Sequence, residues 1–485
     1  MRLSDVLPAG ILPPAGADTV EVHGITAASA AVSPGMIFAG LPGTKADGAA
    51  YIPDAIARGA RVVIAGMGKA ARVPDGVTLI EVDNPRRFLA LMAAKFAGTQ
   101  PDVAVAVTGT SGKTSVADFT RQIFAHLGRS AASLGTIGVV KPSGAIYGSL
   151  TTPDPVTLHA TLAGLAKEGV THLAFEASSH GLDQHRLDGV KLTAAAFTNL
   201  GRDHMDYHPT IEAYFAAKMR LFNQLLQPGQ PAVINTDGAY ADAVVAAANA
   251  RGLRVITVGS TGNTLRRVSL TTDGFAQRMT VAAGSKTYTI TLPLVGAYQA
   301  ENALTAAGLA IAAGEDVDTV LEALKILRGV PGRLEIVGEA KGGLAIVDYA
   351  HKPEALIAAL AACRPFVSGK LICVFGCGGD RDKGKRPIMG DIATKNADVV
   401  IVTDDNPRSE IPAQIRAEIL AAAPGAVEIG DRAAAIKAAI AMMGKGDVVL
   451  VAGKGHETGQ IIGGRTVPFS DHDELTGALK EYTRS

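Results

Sequence analysis

The stretch VAVAVTGTSGKTSVADF, residues 103–119, indicates how the middle of the chain folds and what it binds. A run of small and β-branched apolar residues predicts a strand, a glycine-rich loop follows it, and a helix is expected from Lys113 onward. The N–H groups of such a loop and the start of the helix can hold phosphates, the Lys113 ammonium can reach the β- and γ-phosphates, and the Thr114 hydroxyl can bind Mg²⁺. The stretch therefore predicts a nucleoside triphosphate site formed by Gly109, Thr110, Ser111, Gly112, Lys113, Thr114 and Ser115.

This loop is a variant of the general phosphate-binding pattern. The pattern has a glycine five positions before Gly112, where this chain has Val107. A regulatory switch protein that binds a nucleotide and signals to partners is one alternative. Such a protein should carry a guanine-reading N-K-x-D segment, and the sequence contains none.

The composition limits the classes of protein to consider. The 485 residues predict three domains, at about 150 residues per domain. A formal net charge of zero without blocks of like charge argues against binding to nucleic acid or to a membrane surface. The absence of a long apolar run and of a signal-peptide pattern predicts no membrane insertion and a cytoplasmic location. The three cysteines, Cys363, Cys373 and Cys377, form no disulfide or metal pattern and are expected to be buried.

Strand-like and helix-like segments alternate along the chain, which predicts an α/β fold with parallel sheets. Nearly every predicted strand ends in polar residues, as in FEASSHG, TNLGRDHMD, VDYAHKPE, VTDDNPR and VAGKGHE. Ligands of open α/β sheets bind outside the carboxyl ends of the strands. We therefore expect these polar clusters to form the functional sites.

The TGTSGKT variant, residues 108–114, resembles the Mur ligases, which use ATP to add amino acids to peptidoglycan precursors. Further matches span the chain, and DDNPR and GKGHE are similar to the member that adds meso-2,6-diaminopimelate to UDP-N-acetylmuramoyl-L-alanyl-D-glutamate. The matching segments are TTPDP (151–155), EASSHGLDQHR (176–186), TNLGRDHMDYH (198–208), YFAAKMRLF (214–222), GAYQAENALTAAG (296–308), PGRLE (331–335), VDYAH (347–351), GCGGDRDKGKRP (376–387), DDNPR (404–408) and GKGHE (453–457).

The resemblance implies three domains. A small N-terminal α/β domain, residues 1–97, would bind the UDP substrate. A central parallel-sheet domain with the phosphate loop, residues 98–330, would bind ATP. A C-terminal Rossmann-like α/β domain, residues 331–485, would bind the amino acid.

The resemblance also implies the catalytic and metal-binding residues, with ATP and Mg²⁺ as cofactors. Catalysis would involve Lys113, Glu176, His204 and Lys218, and the metal would be held by Thr114, Glu176, His204 and a CO₂-derived carbamate on Lys218. Sequence reasoning alone leaves other roles open, because a strand-end glutamate can cap a helix and a lone histidine is often structural. Most lysines on such a helix lie at the surface.

The remaining expected contacts fall into three groups. The nucleotide would also be contacted by Asn302, Arg333 and Asp348. The UDP substrate would be bound by Ser29, Thr44, Lys45, Ala46, Thr151, Thr152, Ser178, Gln184 and Arg186. The family often has D-S-R at positions 28–30 and G-H-Q-A-D-G where this chain has GTKADG, so contacts to the uridine are expected to differ here.

Diaminopimelate would be bound by Arg381, Asp405, Asn406, Pro407, Arg408, Gly453 and Glu457. Diaminopimelate carries one more carboxylate than lysine, and a guanidinium such as that of Arg408 can pair with it in two hydrogen bonds. DDNPR also has the composition of an ordinary surface turn, which is the competing interpretation. A lysine-adding Mur ligase and a folylpolyglutamate-synthase-like ligase are the alternatives among enzymes. We expect a monomer that acts on small molecules.

Overall fold

The computed structural model describes residues 1–12, 14–43, 47–70, 72–146, 148 and 150–484. The chain divides into two compact units. The first unit comprises Met1–Ile256 with Ala312–Gly314, and the second comprises Thr257–Ile311 with Glu315–Ser485. The predicted boundaries near residues 97 and 330 stay predictions.

The first unit begins with a small parallel sheet. Its strands are β1 (Gly24–Thr26), β2 (Met36–Ala39), β3 (Val62–Gly66) and β4 (Thr78–Val82), and they lie in the order β1-β2-β3-β4. The helices are α1 (Leu3–Val6), α2 (Ile52–Ala57) and α3 (Pro85–Ala97), with 3₁₀ turns at Ser29–Ala31 and Gly48–Tyr51. The Asn84 side chain caps α3 by accepting a hydrogen bond from the Arg87 N–H.

The larger sheet of the first unit has a parallel centre. In spatial order its strands are β11 (Pro231–Asn235), β10 (Ala194–Phe197), β5 (Val103–Thr108), β9 (His172–Glu176), β6 (Ala131–Gly135), β7 (Gly138–Lys141) and β8 (Gly144–Ile146). Only the pairs β6–β7 and β7–β8 are antiparallel. The helices are α4 (Lys113–His126), α5 (Pro155–Lys167), α6 (Ser179–Asp183), α7 (Ile211–Arg220) and α8 (Ala241–Ala250), and a π-helical turn covers Leu221–Leu225.

The strand register brings three polar loops together. Val107 of β5 pairs with Glu176 of β9, and Thr108 pairs with Phe197 of β10. The loops that follow these strands therefore start at the same edge of the sheet, as the sequence predicted.

The second unit contains an antiparallel meander followed by α9 and α10. Strand β12 (Arg254–Gly259), whose first three residues belong to the first unit, pairs in parallel with the start of β13 (Leu265–Asp273). Strand β13 pairs antiparallel with β14 (Ala276–Ala283), which pairs antiparallel with β15 (Lys286–Leu292). The helices are α9 (Ala297–Ala312) and α10 (Val317–Ala323), followed by a 3₁₀ turn at Leu324–Ile326.

The rest of the second unit is a six-stranded, mostly parallel sheet. In spatial order its strands are β16 (Glu335–Ala340), β17 (Gly343–Asp348), β21 (Val448–Ala452), β18 (Leu371–Phe375), β19 (Val399–Val402) and β20 (Val427–Glu428), with only β16 antiparallel. The helices are α11 (Pro353–Cys363), α12 (Lys385–Asn396), α13 (Pro412–Leu420), α14 (Arg432–Met442) and α15 (Asp471–Arg484), with a 3₁₀ turn at Arg364–Phe366. A separate hairpin joins β22 (Gly459–Ile462) to β23 (Arg465–Pro468).

The two large sheets confirm the predicted α/β class. Strands such as β18 and β21 are buried along their whole length, which is typical of the centre of a parallel sheet covered on both faces. The cysteines are buried and free, as expected, and burial raises the pKa of Cys373 and Cys377 to about 12. In the described ranges, no helix is both long and apolar enough to cross a lipid bilayer.

Candidate active site

The phosphate loop has the backbone geometry that its sequence predicts. It leaves β5 at Gly109, where φ is +146°, and enters α4 after Gly112, where φ is +87°. A side chain at position 109 would place a Cβ 1.9 Å from Thr198 Oγ1, so only glycine fits. The Lys113 ammonium donates to the carbonyl oxygens of Gly109 and Thr110, both at 2.9 Å. Its side chain therefore folds back over the loop.

Asn199, which the sequence did not mark as a site residue, holds the loop from the neighbouring strand end. Its Oδ1 accepts a hydrogen bond from the Ser111 N–H at 3.0 Å, and its backbone carbonyl accepts one from the Thr110 N–H at 2.9 Å. Thr198 Oγ1 donates to the Ser111 carbonyl at 2.7 Å. The only available signal was the position of these residues directly after β10.

Glu176 lies at the end of β9 and is almost completely buried. Its carboxylate accepts hydrogen bonds from the Thr136 N–H at 2.7 Å and from the Thr136 hydroxyl at 3.3 Å. The Thr136 and Thr151 hydroxyl oxygens lie 3.0 Å apart. Thr136 therefore links Glu176 to Thr151, one of the predicted UDP-substrate residues. Glu176 therefore lies beside the phosphate loop and close to the hydroxyl oxygens of Thr136 and Thr151.

Lys218 is buried, which excludes the surface role that is usual for a helical lysine. Its ammonium lies 4.3 Å from the centre of the Tyr214 ring and donates to the Gly109 carbonyl at 2.7 Å. Burial, together with the nearby charge of Lys113, lowers the pKa of Lys218 to about 6. Its side chain is therefore mostly neutral at pH 7.

His204 lies near Lys113 and Lys218, but its side chain is 44% exposed. Its Nε2 is 3.6 Å from the Asp203 carboxylate, and its ring packs edge-on to His180 at 4.9 Å. Partial burial and the nearby Lys113 ammonium lower the pKa of His204. A neutral imidazole is the form that binds metal ions.

The chemistry of these side chains fits Mg²⁺. Within the described part of the chain, no three histidine, cysteine or carboxylate side chains form a complete metal site. Mg²⁺ in nucleotide enzymes usually takes only one or two protein ligands and completes its shell with phosphate oxygens and water. The Glu176 carboxylate and the Thr114 hydroxyl, at the first turn of α4, are oxygen donors of the required kind.

The predicted UDP-substrate residues are partly brought together. Arg186 donates to the Thr152 carbonyl at 2.7 Å and to Gln184 Oε1 at 2.8 Å, and the Ser178 N–H donates to the Thr152 hydroxyl at 3.1 Å. Gln184 and Arg186 line a cavity of about 410 Å³ whose other walls include Ala28 and Arg86 from the N-terminal part of this unit.

Ser29 is another expected UDP-substrate contact, and it is not among the described residues that line this cavity. The Ser29 side chain, next to Ala28, hydrogen-bonds Asp54 instead and lowers the pKa of that carboxyl. Thr44, Lys45 and Ala46 lie outside the described residues.

In the second unit, Asn302, Arg333 and Asp348 form one connected group. Asn302 donates to Gln299 Oε1 at 2.9 Å, and Gln299 donates to the Arg333 carbonyl at 3.0 Å. Asp348 accepts a hydrogen bond from the Leu334 N–H at 2.8 Å, and burial raises the pKa of Asp348 to about 6. The three predicted residues are therefore neighbours, linked through Gln299, which the sequence analysis missed.

DDNPR and GKGHE meet at a cavity of about 690 Å³ in the second unit. Six of the seven residues predicted to bind diaminopimelate line it, namely Arg381, Asp405, Asn406, Arg408, Gly453 and Glu457. Arg408 has a left-handed backbone with φ of +53°, and its guanidinium donates to the Gly379 carbonyl at 2.8 Å. In the described ranges, no carboxylate lies within ion-pair distance of Arg408.

A hairpin that the sequence analysis did not identify supports this loop. The Arg408 N–H donates to the Ile461 carbonyl at 2.9 Å, the Gly463 N–H donates to the Arg408 carbonyl at 2.7 Å, and Gln460 Nε2 donates to the Asp405 carbonyl at 2.7 Å. The β22–β23 hairpin therefore fixes the conformation from which Arg408 projects.

Three family models match successive parts of the chain. The Mur ligase family catalytic domain matches residues 21–97, the Mur ligase middle domain matches 107–310, and the Mur ligase glutamate ligase domain matches 332–455. The UDP-N-acetylmuramoyl-L-alanyl-D-glutamate–2,6-diaminopimelate ligase of Brucella melitensis is 57% identical over 99% of this chain and 98% of its own length. The chain belongs to the Mur ligase family. The ligase of the same name from Rhizobium meliloti is 59% identical over 96% of this chain and 95% of its own length.

A solved structure supports the membership of the Mur ligase family. The structure of a UDP-N-acetylmuramoyl-L-alanyl-D-glutamate–2,6-diaminopimelate ligase matches with a TM-score of 0.75 and 32% identity, over 99% of both chains. The chain is thus an enzyme, a ligase with the Mur ligase fold.

We predict that Asn199→Ala weakens ATP binding by about five-fold, because the phosphate loop loses a side-chain hydrogen bond that holds its geometry and contributes about 1 kcal/mol. Titration calorimetry with Mg²⁺ and a non-hydrolysable ATP analogue measures the change. The control is Asn249→Ala, an exposed asparagine on α8. Equal affinity in Asn199→Ala and wild type would contradict the role given to Asn199.

Proposed function

We propose that this Mur ligase joins meso-2,6-diaminopimelate to UDP-N-acetylmuramoyl-L-alanyl-D-glutamate and converts ATP to ADP and phosphate. The observation that carries the proposal is the cavity of the second unit, which Arg408 lines together with carboxylates; among the described residues its guanidinium pairs with none of them and donates to the Gly379 carbonyl. A free cation beside anionic and amide groups is what an amino acid with both an ammonium and a carboxylate at its far end requires.

The reaction needs one oxygen of the substrate carboxylate to be converted into a good leaving group on the acyl carbon. Transfer of the γ-phosphoryl group of ATP to the D-glutamate carboxylate forms an acyl phosphate and releases ADP. The amine of diaminopimelate then attacks the acyl carbon, and collapse of the tetrahedral intermediate forms the amide bond and releases phosphate. Such transfers depend mainly on positioning and on stabilisation of negative charge.

The chain's own residues supply that positioning. We assign the phosphates to the loop Gly109–Ser115, with the Lys113 ammonium stabilising the charge that develops on the transferred phosphoryl group. We assign the rest of the nucleotide to Asn302, Arg333 and Asp348. Thr114, Glu176 and His204 would hold Mg²⁺, which neutralises phosphate charge when it is bound.

Lys218 is proposed to carry a carbamate that serves as a further metal ligand. An amine attacks CO₂ only when it is unprotonated, and a pKa of about 6 makes the Lys218 amine neutral at pH 7. The amine nitrogen bonds to the CO₂ carbon and loses a proton, which converts a neutral group into a carboxylate. The anion would also lie near the Lys113 ammonium, which stabilises it.

The two other substrates are assigned to the two cavities. The UDP-sugar peptide would contact Ser29, Thr151, Thr152, Ser178, Gln184 and Arg186, and we retain Thr44, Lys45 and Ala46 as proposed contacts. Diaminopimelate would contact Arg381, Asp405, Asn406, Arg408, Gly453 and Glu457, with Pro407 fixing the turn before Arg408. We further propose that the enzyme acts as a cytoplasmic monomer.

The test of this function is an assay with purified protein, ATP, Mg²⁺ and UDP-N-acetylmuramoyl-L-alanyl-D-glutamate. Diaminopimelate and lysine are offered separately, and the product is identified by mass. We expect the diaminopimelate adduct, with phosphate released only when both co-substrates are present. The folded Lys113→Ala variant should form no product, because it lacks the cation on the transferred phosphoryl group.

Other outcomes of this assay would favour the alternatives. A lysine adduct of equal yield would indicate a lysine-adding ligase. Extension of a folyl substrate instead of the UDP-sugar would indicate a folylpolyglutamate-synthase-like enzyme. Phosphate release that depends on neither co-substrate would indicate a nucleotide switch.

We predict that Lys218→Ala is nearly inactive and that added formate or acetate partly restores its activity, because a free carboxylate can occupy the place of the carbamate. In wild type, ¹³C-labelled bicarbonate should give a carbamate signal by NMR above about pH 6, which is lost below it as the amine becomes protonated. Lys167→Ala, at an exposed lysine on α5, is the control and should keep both the activity and the signal. An active Lys218→Ala variant would exclude the carbamate.

We predict that Arg408→Ala lowers kcat/KM for diaminopimelate by about thirty-fold to several thousand-fold, since loss of one partner of a buried charge pair costs about 2–5 kcal/mol. The KM values for ATP and the UDP-sugar should stay within about two-fold. The control is Arg364→Ala, whose guanidinium pairs with Asp398 at the surface. Full diaminopimelate activity in Arg408→Ala would leave DDNPR as an ordinary turn.

A further inference from the structure

Lys454 lies directly behind the amino-acid cavity, between Gly453 and Glu457. Its side chain is fully buried, and it is not among the residues that line the cavity. The turn that buries it is flanked by Gly453 and Gly455, whose φ values of +125° and +56° favour glycine. A Cβ at position 453 would lie 2.6 Å from Asp405 Oδ2, and one at 455 would lie 2.7 Å from the Cβ of Tyr349. Lys454 therefore acts on the cavity only through the groups that it contacts.

The Lys454 ammonium contacts two of those groups. It donates to Asn406 Oδ1 at 2.9 Å and to Glu457 Oε2 at 3.0 Å. The Ile461 N–H also donates to Asn406 Oδ1 at 2.9 Å, and Asn406 Nδ2 donates to Glu457 Oε2 at 2.9 Å. Two donors on Oδ1 permit only one orientation of the Asn406 amide. Both cavity-lining groups are therefore held by one ammonium.

The same contact contributes to the charge of the cavity wall, which also includes Lys352, Arg381 and Lys385 as cations and Glu354 and Asp382 as carboxylates. Asp405 and Glu457 are carboxylates in this wall, and Arg408 supplies the cation for the far end of the amino acid. Lys454 compensates the charge of Glu457 from behind. Without it, the negative charge of Glu457 would face the ligand with no cation behind it, and unlike and like charges at short range attract and repel the ligand directly.

The far ends of diaminopimelate and lysine differ in net charge. Diaminopimelate carries an ammonium and a carboxylate there, which sum to zero, whereas lysine carries an ammonium alone. An additional negative charge in the wall repels the carboxylate of the first and attracts the cation of the second. Selectivity is the difference between the binding free energies of diaminopimelate and lysine. One additional negative charge weakens the binding of diaminopimelate and strengthens that of lysine, so both effects lower the selectivity.

We infer that Lys454 is a positioning residue that makes the enzyme select diaminopimelate over lysine, by fixing the Asn406 amide and compensating the charge of Glu457. The inference rests on the proposed function. It assigns to Lys454 no contact with the substrate.

The experiment measures kcat/KM for diaminopimelate and for lysine in wild type, Lys454→Met, Glu457→Gln and the double variant. In Lys454→Met, the ratio of diaminopimelate to lysine efficiency should fall at least about ten-fold. The loss should appear mainly in KM, because the far end of the amino acid takes no part in bond formation. In Glu457→Gln the ratio should rise, since Lys454 then adds positive charge.

The double variant separates charge from structure. Both amino acids carry the far-end ammonium, so a contact that Glu457 makes to it cancels in the ratio. The double variant should therefore return the ratio toward that of wild type, although its rates stay low. The matched control is Lys437→Met, whose lysine pairs with Glu481 at the surface of α14, and its ratio should equal that of wild type.

The possible outcomes distinguish the two proposals. If wild type does not use diaminopimelate, the proposed function fails. If wild type uses it and Lys454→Met keeps the wild-type ratio, the inference about Lys454 is overturned. If Lys454→Met does not fold, as judged by circular dichroism, Glu457→Gln decides, and an unchanged or lowered ratio there overturns the inference.

Discussion

Two lysine side chains converge on one carbonyl oxygen, and the strand-end loops of the first unit are arranged around that constraint. Lys113 and Lys218 donate to the Gly109 oxygen at 2.9 and 2.7 Å. Two ammonium groups at this separation repel each other, and the more deeply buried one can stay only as a neutral amine. The loop thus places a fixed cation beside a reactive amine. Conversion of that amine to a carbamate would turn the repulsion into attraction.

The second unit uses buried cations in a related way, as links between strand-end loops. Arg386 joins the loop after β18 to Glu410, with distances of 3.3 Å to the Gly378 oxygen and 2.9 Å to the Glu410 carboxylate. Arg432 pairs with Asp471 at 2.7 Å and donates to the Ala452 carbonyl at 3.0 Å. Buried ion pairs contribute little net stability, because the cost of desolvation offsets their attraction. Their contribution here is the fixed geometry of the loops, which a charged ligand needs.

The sequence predicted the parts of this protein that depend on neighbours along the chain. Strand, loop and helix around Gly109 follow from local composition, and the α/β class follows from alternation of elements. It did not predict Asn199 as a support of the phosphate loop, because that contact joins residues 88 positions apart and has no periodic signal. The sequence also did not predict the role of Lys454, because a buried lysine and a surface lysine cannot be told apart in a sequence.

The departure at Val107 has a physical explanation in the strand register. Val107 is buried within β5, pairs with Glu176, and its carbonyl accepts the Ala177 N–H at 2.8 Å. Here β5 continues through Thr108, and the sharp turn begins at Gly109 instead. The requirement for glycine has therefore moved two residues along the chain, to the position where a Cβ would meet Thr198. Because the strand extends further, Glu176, which pairs with Val107, lies at the edge of the phosphate loop, and this is the position from which we propose that its carboxylate binds Mg²⁺.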